Sequence, residues 1–301
     1  MPGKPWTDDE KEAVRLLTLQ GMNTTQVVDR LREQGVQRTY KAVEHLRTRN
    51  KWRAEVQVAR FELDPPVVLR ADRALLLFDV HAPLHDAVWM NRIIALALKW
   101  DVKACAIGGD IVEYSSISYW GRIHGIEFDH ELEAACMIVR AIEANFANKV
   151  LIGGNHEWRF VKALKKARTL QHVLKDFTSE GSRTVTSIRK WFFLESGGVR
   201  FRVCHPANYN RIPARNAQAL ASKYKAHVIA GHNHLWGMTR DVSDSWYAVD
   251  AGCCLDKRRV AWLETEMSNY PQPVQGAVIV VDGTPILLGK QNIAFYEGLK
   301  L

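Results

Sequence analysis

The chain contains no apolar run approaching the ~20 residues that a membrane-spanning helix requires, so no helix of that kind is expected. It also has no CxxC pair. Its five cysteines are scattered, with Cys105, Cys136 and Cys204 inside apolar stretches and Cys253 beside Cys254. That spacing excludes a thiolate zinc site, and an odd number reads most simply as free thiols. The opening Met1-Pro2-Gly3-Lys4-Pro5-Trp6, followed by acids, lacks the apolar core of a signal peptide. Cytoplasmic residence is therefore expected. No internal repeat is visible.

What is present fits a folded protein. At 301 residues, 47% hydrophobic and 25% charged, the chain has room for one large α/β domain and a small appended module. The formal net charge is +8, and it is unevenly spread. Between residues 38 and 53 stand Arg38, Lys41, Arg47, Arg49, Lys51 and Arg53, against the single acid Glu44. A one-sided cluster of this kind points to an anionic partner.

Residues 7–50 read as three short helices. Thr7-Asp8-Asp9-Glu10 is a capping box with acids in the first turn, Asn23 or Thr24 can cap a second helix, and Thr39 can cap a third. Val27, Val28 and Leu31 form the apolar face of the second helix, Ala42, Val43 and Leu46 that of the third, and Trp6 and Trp52 can close the small core. On the third helix Lys41, His45 and Arg49 recur at i, i+4 and i+8 and face outward. The pattern resembles helix-turn-helix modules of the Myb-like or phage-terminase-like kind. That resemblance implies a third helix in the major groove, with Arg38, Lys41, His45, Arg47, Arg49, Lys51 and Arg53 as the nucleic-acid-facing set. A helical docking or oligomerisation module is the alternative. Residues 54–73, with Pro65-Pro66, read as a linker or a lead-in strand.

From residue 74 onward, strand-like and helical stretches alternate. Strands are expected at 74–78, 103–107, 149–152, 199–204, 226–230, 246–249, 277–281 and 286–288, and helices at 87–100 and 126–148, with a lysine-rich helical stretch after 155. Five short segments follow the ends of these strands: Asp79-Val80-His81, Gly109-Asp110-Ile111-Val112-Glu113, Gly154-Asn155-His156-Glu157, His205, and Gly231-His232-Asn233-His234. Asp, Asn and His just past the carboxyl ends of successive strands occupy the place where open α/β sheets build ligand sites. They are the residue types that bind hard or borderline cations. In Asp79-x-His81 and His232-x-His234 an extended backbone would point both side chains the same way.

Taken together, the five segments resemble the motif set of the calcineurin-like metallophosphoesterases, over residues 74–250. The resemblance implies a two-sheet αββα sandwich over 74–301, preceded by the three-helix module of 1–53. It also implies two divalent ions, manganese first, with iron or zinc as alternatives. Asp79, His81 and His234 would hold one ion and Asn155, His205 and His232 the other, with Asp110 bridging. A water between the ions would lose its proton near neutral pH and attack phosphorus in line, with His156 as general acid. The acid three residues past the bridging Asp, here Glu113, would orient that histidine. Arg159, one turn past Asn155, could reach a substrate phosphate, and Tyr114 could line the pocket. Asp86 reads as a helix cap.

The function expected is phosphodiester hydrolysis with nucleic acid as a substrate, an architecture similar to gene products of phages. A phosphomonoesterase or protein phosphatase with a docking module, and a DNA-binding regulator with a decayed hydrolase domain, are the other readings. The intact ligand set argues against decay.

Overall fold

The structure, a computed structural model, describes residues 5–53, 65–118, 125–260, 269 and 271–299. The chain forms two compact units, Met1–Asp64 and Pro65–Leu301. Among the described residues no helix is long and apolar enough to cross a membrane.

The first unit contains α1 (Asp8–Leu19), α2 (Thr24–Glu33) and α3 (Tyr40–Arg49). Each starts where a side-chain oxygen accepts from a backbone N–H otherwise left without a partner: Thr7 from Glu10, Asn23 from Gln26 and Thr39 from Ala42. Val14, Val27, Leu31, Val43 and Leu46 form its core, with Trp6 and Trp52 packed against it.

The second unit is an αββα sandwich. One sheet has the order β1-β6-β7-β8-β10-β9: β1 (Val68–Arg70), β6 (Trp191–Ser196), β7 (Val199–Cys204), β8 (His227–Ala230), β10 (Tyr247–Ala251) and β9 (Trp236–Arg240). The other has the order β12-β11-β2-β3-β4-β5: β12 (Thr284–Gly289), β11 (Gly276–Val281), β2 (Arg73–Leu77), β3 (Ala104–Gly108), β4 (Asn148–Ile152) and β5 (Val185–Thr186). Strand alternation divides the side chains into layers. Ala74, Leu76, Ala106 and Val150 meet Phe192, Phe201, Ile229 and Val249 between the sheets. Leu75, Leu77, Cys105 and Leu151 face outward, under α4 (Ala87–Lys99), α5 (Phe128–Asn145), α7 (Leu170–Asp176) and α9 (Ile293–Glu297). On the opposite side Ala217 and Ala221 of α8 (Arg215–Tyr224) cover Val228, Ala230 and Ala248. Small alanines let that helix approach the sheet closely.

Several elements differ from the sequence reading. Of the two readings of residues 54–73, the lead-in strand is seen at β1, which pairs in parallel with β6, while residues 54–64 lie outside the described residues. After α6 (Asn155–Ala163) and α7, the chain forms β5 and then β6, which pairs antiparallel with β7 through Gly197-Gly198. The uninterrupted Trp191-Phe192-Phe193-Leu194 run masked β6, although a Gly-Gly pair between two apolar stretches is a hairpin signal. Strand β9 was missed because its residues are mostly half-exposed and include Gly237. Asp86 caps α4 as expected, accepting from the backbone of Trp89.

Candidate metal centre

All five segments end at one edge of the sandwich. Strands β2, β3 and β4 run parallel, and so do β7 and β8, so their carboxyl ends lie together. Asp79 and His81 leave β2, Asp110 and Glu113 follow β3, and Asn155 and His156 open α6 beyond β4. His205 follows β7, and His232 and His234 follow β8.

These side chains converge. Asp79, His81 and His234 bring their donor atoms within 4.8 Å of one another, and so do Asp110, His205 and His232. Nε2 of His234 is 3.5 Å from Asp79 Oδ1 and 3.1 Å from Nε2 of His81. Nε2 of His205 lies 3.2 Å from Asp110 Oδ2 and 3.0 Å from Asn155 Oδ1. Nδ1 of His205 comes within 3.9 Å of Asp79 Oδ1, which joins the two groups.

The backbone achieves this differently from the extended arrangement expected. Asp79, His81, Asp110, His232 and His234 all have positive φ, between 49° and 77°. Left-handed backbone is costly for non-glycine residues and collects at functional sites. It turns each side chain of Asp79-x-His81 and His232-x-His234 inward within three residues. Glycine is required at two neighbours. A Cβ on Gly154 would lie 2.0 Å from Asp110 Oδ1, and one on Gly109 would lie 2.6 Å from His205 Nδ1.

A metal pair fits this donor set. The protonated nitrogen of a ligating histidine ordinarily donates to a carboxylate or a carbonyl, which leaves the other nitrogen for the ion. Nδ1 of His81 faces the Glu113 carboxylate at 2.5 Å, and Nδ1 of His205 faces the carbonyl of Gly108 at 3.1 Å. The Nε2 atoms of both therefore present lone pairs to the cluster. Two imidazole nitrogens at 3.1 Å and an imidazole nitrogen between two oxygens need a shared proton or a cation to satisfy them.

The electrostatics agree. Burial would raise Asp110, but His205 and His156 outweigh it and hold the carboxyl well below its ordinary range. Asp79 is likewise lowered, by His234 and His205 against burial. Burial pushes His232 down to about 4, with the neighbouring His205 adding to the effect. Ionised carboxylates and a neutral His232 are states a cation needs; His81 and His205, raised against burial to about 9 and about 8 by their carboxylate neighbours, would release a proton on binding one.

The remaining predicted residues divide. His156 lies at the edge of the cluster, its Nε2 4.0 Å from Asp110 Oδ2. Its Nδ1 donates to the main-chain carbonyl of Glu113 at 2.5 Å. The expectation places the Glu113 carboxylate on His156; it stands instead against His81, at 2.5 Å, and is 3.7 Å from Nδ1 of His156. Arg159 reaches the site, 3.3 Å from the Glu113 carbonyl and 3.4 Å from Nε2 of His156. Tyr114 does not line it. The ring is fully buried, stacked on Phe128 and Phe160.

In the helical unit Lys41, His45, Arg49, Lys51 and Arg53 are exposed. Arg38 is not: its guanidinium pairs with Glu10 at 2.5 Å and lies over the Trp6 ring. That pair ties the segment before α3 to α1 and removes Arg38 from the outward-facing set. Arg47 is half-buried and donates to Thr24 Oγ1 at 2.7 Å and to the Met22 carbonyl at 3.2 Å.

Two supporting residues had no role assigned from sequence. Glu157 is completely buried and accepts from the backbone N–H groups of Asp110, Ile111, Val112 and Gly154 at 2.7–3.1 Å. It fixes the β3 and β4 ends to each other. Asp250 accepts from Asn233 Nδ2 at 3.0 Å and from Ala214 N at 2.8 Å, which pins the loop carrying His232 and His234. An acid in the first turn of a helix that begins on a glycine was the available signal for Glu157.

No protein-family model matches the chain, and no curated protein matches it. Solved structures are similar at low identity. Yfce, a phosphoesterase from E. coli, is 11% identical, with 72% of this chain and 98% of that chain covered and a TM-score of 0.37. Vps29 from Entamoeba histolytica complexed with Zn+2 is 12% identical, covering 72% and 97%, with a TM-score of 0.30. Vacuolar Protein Sorting 29 from Cryptosporidium parvum is 10% identical, covering 72% and 95%, with a TM-score of 0.36. Identity and TM-score are too low in each case to carry activity or substrate across.

Proposed function

We propose that the chain is a two-metal phosphodiesterase of the calcineurin-like metallophosphoesterase type, acting on nucleic acid. One observation carries the reading: Asp79, His81, Asp110, Asn155, His205, His232 and His234, from five separate strand ends, turn their donor atoms into one cluster. Seven donors with two carboxylates leave a pair of divalent ions with two surplus positive charges, which is the condition for attracting a phosphate ester. Two bound ions supply Lewis acidity and a nucleophile at neutral pH, as two-metal sites do for in-line displacement at phosphorus.

The chain's own residues do the rest. Asp79 and Asp110 neutralise charge, while Glu113 and the Gly108 carbonyl hold His81 and His205 in the ligating tautomer. His156 is the proton donor. With Nδ1–H committed to a carbonyl, Nε2 is the atom facing the cluster, and it would have to take up the proton it donates against the burial that lowers this imidazole. Arg159, beside His156, is placed to meet a phosphate oxygen. His156→Ala is expected to retain metal and to slow cleavage by roughly 10²–10⁴. A near-normal rate would remove it from the chemistry.

Manganese is the first metal to try, because Asp, Asn and His donors without thiolate admit it alongside iron and zinc. Nucleic acid as the substrate is supported by the one-sided charge of the helical unit. Lys41, His45 and Arg49 share an exposed face of α3, followed by exposed Lys51 and Arg53. The test is a side-by-side assay of bis-p-nitrophenyl phosphate, p-nitrophenyl phosphate and single- and double-stranded DNA with manganese. Preference for the monoester with no DNA cleavage would replace this reading with a phosphomonoesterase.

A further inference from the structure

Beside His205, the sandwich carries a cavity of about 310 Å³ that this residue helps to line. Three cations line it, Lys190, Arg202 and Lys223, together with Trp191 and Tyr224, and no acid does. Arg202 is clamped, its guanidinium 3.8 Å from the Trp191 ring and 4.1 Å from the Tyr224 ring. Stacking uses only the faces of the guanidinium, so its in-plane N–H groups keep their hydrogen-bonding capacity. Among the described residues no carboxylate pairs with Lys190, Arg202 or Lys223. Arg70 and Arg200, on the same sheet, are by contrast paired with Glu195.

The cavity also adjoins the reaction centre. The Lys190 carbonyl accepts from the His205 backbone at 2.8 Å, and both residues line the cavity. An arginine already held in one orientation loses little entropy when an anion docks on it. Three unpaired cations around an aromatic-walled pocket are the usual means of holding a phosphate with its attached organic group.

We infer that this cavity is the subsite for a second phosphate of the substrate, next along from the scissile one, with Lys190, Arg202 and Lys223 as its cationic walls. The assignment rests on the phosphodiesterase reading. It implies a substrate with at least two phosphates, from either a nucleic-acid strand or a nucleoside polyphosphate.

The full chain, loaded with manganese, tests it with Arg202→Gln and with Lys223→Gln, the latter on the exposed face of α8 and so independent of any packing defect at Arg202. Binding of a phosphorothioate trinucleotide, too short to form the duplex that α3 would read, is measured beside binding of adenosine diphosphate. Hydrolysis of the natural trinucleotide is compared with that of bis-p-nitrophenyl phosphate. Both substitutions should weaken the trinucleotide or the diphosphate at least tenfold, and whichever ligand is affected identifies the source of the phosphate. The loss in kcat/KM should be at least tenfold larger for the trinucleotide than for the single-phosphate ester if the source is a strand. Unchanged binding of both ligands overturns the subsite. If the unsubstituted chain cleaves no diester at all while the binding losses persist, the phosphodiesterase reading fails and the anion site stands.

Discussion

The Glu113 carboxylate stands 2.5 Å from Nδ1 of His81 and 3.7 Å from Nδ1 of His156. It therefore acts first on a proposed metal ligand and only at a distance on the proposed proton donor. His156 is oriented instead by the main-chain carbonyl of the same residue.

Glu113→Ala should accordingly weaken metal binding, by the 10–100-fold typical of losing a carboxylate behind a ligating histidine. Glu113→Gln, which can still accept from Nδ1–H, should fall between. Competitive titration with a chromogenic chelator measures this. Normal metal affinity with a lower rate would return Glu113 to the role of orienting His156.

Glu157 predicts a different phenotype. Glu157→Ala leaves four buried backbone N–H groups without their acceptor, each costing ~1–3 kcal/mol. Several kcal/mol should be lost in urea unfolding, enough to compromise the fold. A variant within about 0.5 kcal/mol of the unsubstituted chain would contradict the bracing role.

The metal-free chain should lose stability as the solution becomes alkaline. Burial depresses His81 and His205, but Glu113 for the first and Asp110 for the second outweigh it, raising them to about 9 and about 8. A histidine whose folded value lies above its unfolded value of ~6.5 stabilises fully below that pH, and the contribution disappears as pH rises through the folded value. Urea midpoints of chelator-treated protein should fall between about pH 6.5 and pH 9, and saturating manganese should remove the fall because it binds the deprotonated ligands. A midpoint that rises across that window without metal is the contrary result.

The helical unit predicts salt-sensitive DNA binding that depends on α3. Lys41→Glu with Arg49→Glu should weaken binding to duplex DNA and flatten its dependence on salt, each lost phosphate contact reducing the slope by about 1. Arg38→Gln should act on thermal stability instead, since it removes the ion pair with Glu10. Fluorescence anisotropy at several salt concentrations separates the two. Equal binding by all variants would assign the unit to docking rather than to nucleic acid.

Much of the cluster was legible in sequence because Asp, Asn and His at strand ends leave a residue-type signature. Asp79, Asp110, Asn155 and the His232-His234 pair announce themselves by type and by position after apolar runs. The left-handed backbone that aims Asp79, Asp110, His232 and His234 was not legible, since Asp and His carry no mark of their φ. Burial was also hidden. Arg38 looks like any basic residue in a basic stretch until Glu10 and Trp6 close on it, and Tyr114 follows a site residue while pointing into an aromatic core. The anion cavity was invisible for another reason. Lys190, Arg202 and Lys223 come from three separate segments, and only the pairing of β6 with β7 and the packing of α8 bring them together.

The most direct test is the number of divalent ions per chain after manganese loading, measured by elemental analysis for the unsubstituted protein and for Asp110→Asn. Two ions are expected in the first, with Asp110→Asn losing metal and turnover together. No bound metal in the unsubstituted chain under any loading condition, or two ions and full turnover in Asp110→Asn, would contradict the account.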